Sequence, residues 1–287
     1  MKNKIDRLKL SWIDFYTTYY CISQFISIHI MNLHICMKKS FRYTLLLIIL
    51  WQSSYGQQTD TIRISSNMVN TKVLIPGTHR WLVYFKMGAD SPRTMFNIWS
   101  RTIQKINHNG KEAIEVSQVW EDKDSIMHTT RSVSDAKDFR TLYHTSWWKQ
   151  RGSSTFDFTS GEFLMNNKSI TAQDTVPRVK KLREGFDKAM NQYTLNWHLD
   201  LEVFPLLPYK NQVTFLINFY EPGYSEPKWV PYTVSGSAKL SGLDGQSVDC
   251  WLLEHLETNN KEVFWISKKT KEVLKLEQQF GTRYRYK

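Results

Sequence analysis

From residue 79 to the C-terminus the chain alternates. "HRWLVYFKM" (79–87), "RTMFNIWSRTIQKI" (93–106) and "KEAIEVSQVWE" (111–121) each read with period two. A strand places successive side chains on opposite faces, so such runs specify half-buried strands. The runs are joined by short turn sequences: "NHNG" (107–110), "DKD" (122–124), Ser160-Gly161 and "NNK" (166–168). Asn, Asp and Gly tolerate the backbone of tight turns, and such turns link neighbouring antiparallel strands. "SIMHTTRSVS", "RTLYHTSWWKQ", "STFDF", "EFLM" and "SITAQD" continue the series. The pattern returns in the last third, with "VTFLINFY" (213–220), "VPYTVSGSAKLSGL", "QSVDCWLLEHLE", "EVFWIS" and "EVLKLEQQF" separated by Asp244-Gly245, Asn259-Asn260 and "KKTK". A mainly β fold is expected, a curved antiparallel sheet in the form of a meander or open half-barrel. Its two meanders lie at about 75–175 and 210–287, joined by a helical segment at about 179–204.

The joining segment resists a single reading. In "LNWHLDLEVFPLLP" (195–208), strand periodicity would put Asn196, His198, Asp200 and Glu202 on one face. The same letters fit a helix that starts at an Asp187 cap and carries the stripe Met190, Tyr193, Trp197, Leu201 and Phe204, with Pro205 as its stop. Cap and stop favour the helix. In that reading His198, Asp200 and Glu202 form its solvated side, and they are left outside the candidate site.

Residues 37–56, "MKKSFRYTLLLIILWQSSYG", have the layout of a secretory signal peptide. A basic start (Lys38, Lys39, Arg42) precedes an apolar stretch from Tyr43 to Trp51, and Ser54 and Gly56 are small residues before a cut at Gln57. The apolar stretch is too short to span a bilayer of roughly 30 Å; an uncleaved anchor is the alternative. Residues 1–36 are read as an upstream extension from a start codon placed too early, with Met37 the initiator; a poor transmembrane helix is the competing reading. Export to the periplasm or cell envelope is therefore expected. The whole chain has 38 Lys+Arg and 27 Asp+Glu; residues 1–56 hold seven and two of these, leaving 31 and 25, a net of +6. That mild, dispersed charge argues against a nucleic-acid partner. Of three cysteines only Cys250 follows the cut, so an internal disulfide is excluded and a buried thiol is expected.

The chain carries no Gly-x-Ser-x-Gly, His-Glu-x-x-His, paired-cysteine, P-loop or dinucleotide glycine pattern. Neither catalytic residues, a metal site nor a cofactor is expected. Aromatics make up 14% of the chain, enough to line a sheet as well as fill it. Trp147 and Trp148 are adjacent in a strand and must point to opposite faces. Tyr220 precedes the loop "EPGYSEPKW", and Tyr224 and Trp229 lie within it. These five are the candidate ligand-binding residues. The tail "RYRYK" (283–287) reads as a solvated strand end, or as a contact for lipid headgroups.

"DAKDFRTLYHTSWW", "STFDFTSGEFLMNNK", "VFPLLPYKNQ", "YTVSGSAKLSGLDGQSVDCWLLEH" and "VFWISKKTKEVLKLEQ", in that order, resemble the domain of unknown function 3108 family of exported bacterial β-proteins. The resemblance covers about 75–285. It implies a helical segment before "LLP" and a sheet similar to those of periplasmic lipoprotein carriers. It supplies no reaction and no catalytic residues. The combined expectation is a monomeric, non-enzymatic envelope protein that holds a lipid or other amphipathic ligand in its curved sheet. The alternatives are an envelope assembly partner that uses exposed aromatics, and a hydrolase of envelope polymer.

Overall fold

The computed structural model describes residues 60–224 and 226–287. The proposed signal peptide and upstream extension lie outside them. The first meander comprises β2 (Gly77–Lys86), β3 (Thr94–His108), β4 (Lys111–Glu121), β5 (Ile126–Asp135), β6 (Thr141–Trp148), β7 (Gly152–Asp157), β8 (Glu162–Met165) and β9 (Lys168–Ser169). The second comprises β11 (Val213–Tyr220), β12 (Lys228–Ser241), β13 (Ser247–Glu257), β14 (Asn260–Ser267), β15 (Val273–Phe280) and β16 (Arg283–Tyr286). Every neighbouring pair within each meander is antiparallel. At the two-residue β3–β4 hairpin, Asn109 and Gly110 adopt φ of 52° and 81°, the left-handed pair that the turn demands.

The two meanders are one sheet. The last strand, β16, pairs antiparallel with β2, the first strand of the first meander (Arg285↔Phe85). Among the described residues the sheet holds sixteen strands and does not close. One end is the two-residue β9. At the other, β1 (Asp60–Arg63) and the two-residue β10 (Leu195–Asn196) add in parallel to the same edge of β11. Edges this short offer little template for another chain.

The joining segment departs from the expected helix over 187–204. Helix α1 runs from Pro177 to Met190, so Asp187 lies near its end, paired with Arg183, and caps nothing. Its buried stripe is Leu182, Gly185, Phe186 and Ala189, packed on Phe156, Phe163, Ile170 and Tyr220. Asn191 ends it, with its side-chain amide donating to the Asp187 carbonyl (2.8 Å). The chain then extends through β10, makes a 3-10 turn at Trp197–Leu199, one helical turn α2 (Asp200–Val203) and a second 3-10 turn at Phe204–Leu206. Asn196 begins this run by accepting from the His198 N–H (2.9 Å). With 3-10 geometry around residues 197–199, the 3.6 period does not carry through, and both sides of the segment are buried. Leu199, Leu201, Phe204 and Leu206 face the main core, with Phe215, Ile217, Phe219, Tyr232, Leu253, Phe264 and Leu276 of the second meander. His198 and Glu202 are also buried.

Candidate functional site

The first meander turns unusual residues inward. Its cross-strand register sets three rungs over the inner face. The first is Trp99, Trp120, His128 and Trp148; the second is Arg101, Gln118, Thr130, Ser146 and Ser154; the third is Ile103, Val116, Ser132, His144 and Phe156. Pairing Trp99 with Trp120 stacks their rings at 3.7 Å and 4°. Trp120 meets His128 and Trp148 edge-on at 4.6 and 5.5 Å, and His128 stacks on Trp148 at 3.7 Å. The rung is thus a continuous row of rings, an arrangement that fixed strand register makes possible.

The segment 195–203 lies against these rungs and is tied to them by polar contacts. Arg101 is 2% exposed and donates to Glu202 Oε2 (2.6 Å) and Asp200 Oδ1 (3.0 Å). Gln118 donates to the His198 carbonyl (2.8 Å), and its own oxygen accepts from Trp120 Nε1 (3.2 Å). The Asn196 amide donates to His144 Nδ1 (3.1 Å), which leaves the His144 proton on Nε2. His128 Nδ1 donates to the Trp147 carbonyl (2.8 Å). His198 sits between the other two imidazoles, 5.0 Å from His144 and 5.9 Å from His128.

Here the sequence reading is corrected. His198, Asp200 and Glu202 do not form a solvated helix face; they are held against the sheet, because the face opposite them is polar. The tail is corrected as well. β16 is an interior strand between β15 and β2, and Arg285 continues a polar rung of His255, Glu262 and Gln278 on the second meander. The Lys287 side chain is 3% exposed, 3.7 Å from Asp200 Oδ2 and 4.3 Å from the Trp99 ring centre.

Two cavities open where these groups meet. One, of about 380 Å³, is bounded by Trp99, Trp120, Trp148 and Trp197 and by the charges of Arg101, Arg151, Asp200, Glu221, Glu262, Arg285 and Lys287. The other, of about 400 Å³, lies between β6–β8 and α1 and is mainly apolar, with Phe163, Met165, Val179, Leu182 and Pro222 in its wall. Trp148, Arg151 and Tyr224 belong to both. Arg151 donates to the Tyr224 hydroxyl (2.7 Å) and lies over both the Trp148 and Tyr224 rings.

Burial shapes the electrostatics. Desolvation pushes the His128 imidazole down to about 4 and His198 to about 3, and holds His144 well below the usual range, so all three are neutral at pH 7. Burial also pushes the Lys287 ammonium down to about 7, against the attraction of Asp200. Desolvation opposes ionisation of Asp200, but Lys287 and Arg101 outweigh it and lower its carboxyl. Glu202, Glu221 and Glu262 are pushed up by burial, Glu202 against the pull of Arg101. Among the described residues no group of three His, Cys, Asp or Glu is placed to hold a metal ion.

The five sequence candidates separate. Trp148 and Tyr224 line both cavities. Trp147 points to the outer face, 40% exposed. Tyr220 is buried in the cluster under α1, edge-on to Phe158. Trp229 is exposed beneath the Arg63 guanidinium and bounds neither cavity. Cys250 is buried and free, and burial raises its thiol. Sequence reasoning missed Trp99, Trp120, Arg101, Arg285 and Lys287. One signal was available: "HTTRS" (128–132) and "HTS" (144–146) put polar residues on both faces of consecutive strands.

A family model described as protein of unknown function (DUF3108) matches residues 80–287. The chain belongs to this family. The match takes in both meanders (all but the first three residues of β2), the joining segment and every residue that bounds the two cavities. No curated protein and no solved structure matches the chain.

Proposed function

We propose that this DUF3108 protein is a non-enzymatic carrier or receptor for a small amphipathic molecule, held on the inner face of the first meander. The observation that carries this reading is the pair of adjoining cavities, one apolar and one charged, sharing Trp148, Arg151 and Tyr224. Their volumes fall in the range typical of small-ligand sites, and aromatic walls with a few fixed polar groups are what such sites use. An amphiphile spanning both would lay its chain beside Leu182 and Phe163 and its polar end among the charges. The leader-like residues 37–56 support export, which would place this ligand in the cell envelope.

The test is titration of tryptophan emission with decyl maltoside below its micelle threshold, together with mass spectrometry of organic extracts of the purified protein. The expected result is a saturable change in emission, abolished by Val179→Trp, which fills the apolar cavity and leaves the charged one intact. An unsaturable response, or an unchanged one in Val179→Trp, contradicts the proposal.

A hydrolase is the second reading, supported by carboxyls of opposite character on one wall: Asp200 is lowered, while Glu262 and Glu221 are raised. Such separation is how acid and base roles are divided. Asp200, however, is already engaged by Arg101 and Lys287. Turnover of an envelope polymer that is lost in both Asp200→Asn and Glu262→Gln would favour this reading over the carrier.

A further inference from the structure

Four donors buried in the wall of the charged cavity lack an acceptor. Nε of Arg101, Nε of Arg285, Nε1 of Trp99 and Nε1 of Trp148 are sealed from solvent and meet no acceptor among the described residues. All four side chains bound this one cavity. Of its carboxylates, Asp200 is fully engaged and Glu262 is engaged through one oxygen. Asp200 Oδ1 accepts from Arg101 and from the Leu201 N–H, and its Oδ2 faces Lys287. Glu202 Oε2 takes Arg101, and Glu262 Oε1 takes Gln278. The lining sets Arg101, Arg151, Arg285 and Lys287 against Asp200, Glu221 and Glu262, and burial disfavours the charged forms of Glu221, Glu262, Arg285 and Lys287 alike. Arg285 and Lys287 converge over one ring, that of Trp99, at 5.7 and 4.3 Å.

We infer that the amphiphile ends in an oxyanion, a carboxylate or a phosphate, received at the Trp99 corner of the cavity by Arg285 and Lys287. Its chain runs past Trp148 and Tyr224 into the apolar cavity. This inference rests on the amphiphile reading above and adds the chemistry of the head. A guanidinium is suited to the task, since its fork matches both carboxylate and phosphate. Lys287, with its ammonium pushed down to about 7, gains its proton more firmly once an anion arrives.

The experiment compares heads on a constant chain. Tryptophan emission is titrated with decyl phosphate, decanoate, decyl maltoside and decyltrimethylammonium, each below its micelle threshold, and with inorganic phosphate alone. The two anionic probes should bind at least about tenfold more tightly than the other chain-bearing probes, the difference a charge-assisted contact supplies. Arg285→Gln should bring them to the level of decyl maltoside, and Arg285→Lys should keep part of the preference. Thermal melts check folding; if Arg285→Gln unfolds, Lys287→Gln takes its place, and the same loss of preference is expected. Equal affinity for all four heads overturns the inference and leaves the amphiphile reading standing. Inorganic phosphate binding as tightly as decyl phosphate makes this a free-anion site and overturns the joined head-and-chain ligand. Failure of every chain-bearing probe overturns both.

Discussion

The two meanders are built alike and filled differently. In the second, a rung across the inner face reads Val234, Leu253, Phe264 and Leu276, all buried and apolar. In the first, the rung of Arg101, Gln118, Thr130, Ser146 and Ser154 is polar throughout. The joining segment serves both. Leu201 and Phe204 close the apolar core, while His198, Asp200 and Glu202 meet the polar face. Strand alternation thus sets which residues share a face, but it leaves open whether that face is filled by the protein itself or shaped for something else. A polar interior satisfied only in part is costly, so its presence beside an ordinary core marks where stability gives way to a site.

The contrast can be broken at either end, and the largest effects come from its two central side chains. Phe204 is fully buried against Phe219, Tyr232 and Phe264. Phe204→Ala should cost about 3–5 kcal/mol in urea unfolding. Arg101→Met should cost a similar amount, about 3–5 kcal/mol, because it leaves Glu202 buried without its cation and Asp200 with Lys287 alone. The origins differ, and a double variant separates them. Adding Glu202→Met to Arg101→Met should restore part of the loss, whereas adding it to Phe204→Ala should restore nothing. Equal behaviour of the two pairs would erase the distinction between an apolar and an ionic half.

Next in size is acid sensitivity, centred on the polar face of the first meander and the segment that meets it. His128, His144 and His198 are held neutral in the folded chain and regain a value near 6.5 when it unfolds. Below pH 6.5 the unfolded state binds protons that the folded state refuses. Their contribution to stability is therefore whole above pH 6.5 and falls as pH drops toward about 4 and 3, by up to about 1.4 kcal/mol per pH unit for each histidine. Urea unfolding at pH 7, 6 and 5 should show this slope, reduced in His128→Phe. A flat profile would place the imidazoles in contact with solvent.

The smallest effect concerns the turn that brings His198 to the sheet. Asn196→Ala removes the acceptor for the His198 N–H and the donor to His144, and should cost about 1–2 kcal/mol. Asn196→Asp keeps the first contact and loses the second, so an intermediate value is expected.

Much of this architecture is legible in the sequence. Period-two runs and Asn-Gly or Asp-Gly turns mark the strands, and Pro177 followed by Leu182, Phe186 and Ala189 carries the signs of α1. The joining segment is less legible, since residues 195–206 change conformation every two to four residues and no single period survives. The site is least legible. Trp99 and Trp120 lie 21 positions apart, and Arg101 and Glu202 lie 101 apart, so only the register of long strands and the passage of a distant segment bring them together. Arg285 and Lys287 look like a wet terminus because nothing local shows that β16 bridges the two meanders.

The neighbouring tryptophans offer the most direct test of a ligand-binding inner face on the first meander. Trp147 and Trp148 share a strand, yet one faces outward and the other bounds both cavities. Decyl phosphate should bind wild type and Trp147→Ala with equal affinity, and Trp148→Ala should lose at least about tenfold, the scale of a buried aromatic contact. Equal affinities in all three, or a loss confined to Trp147→Ala, would contradict the account.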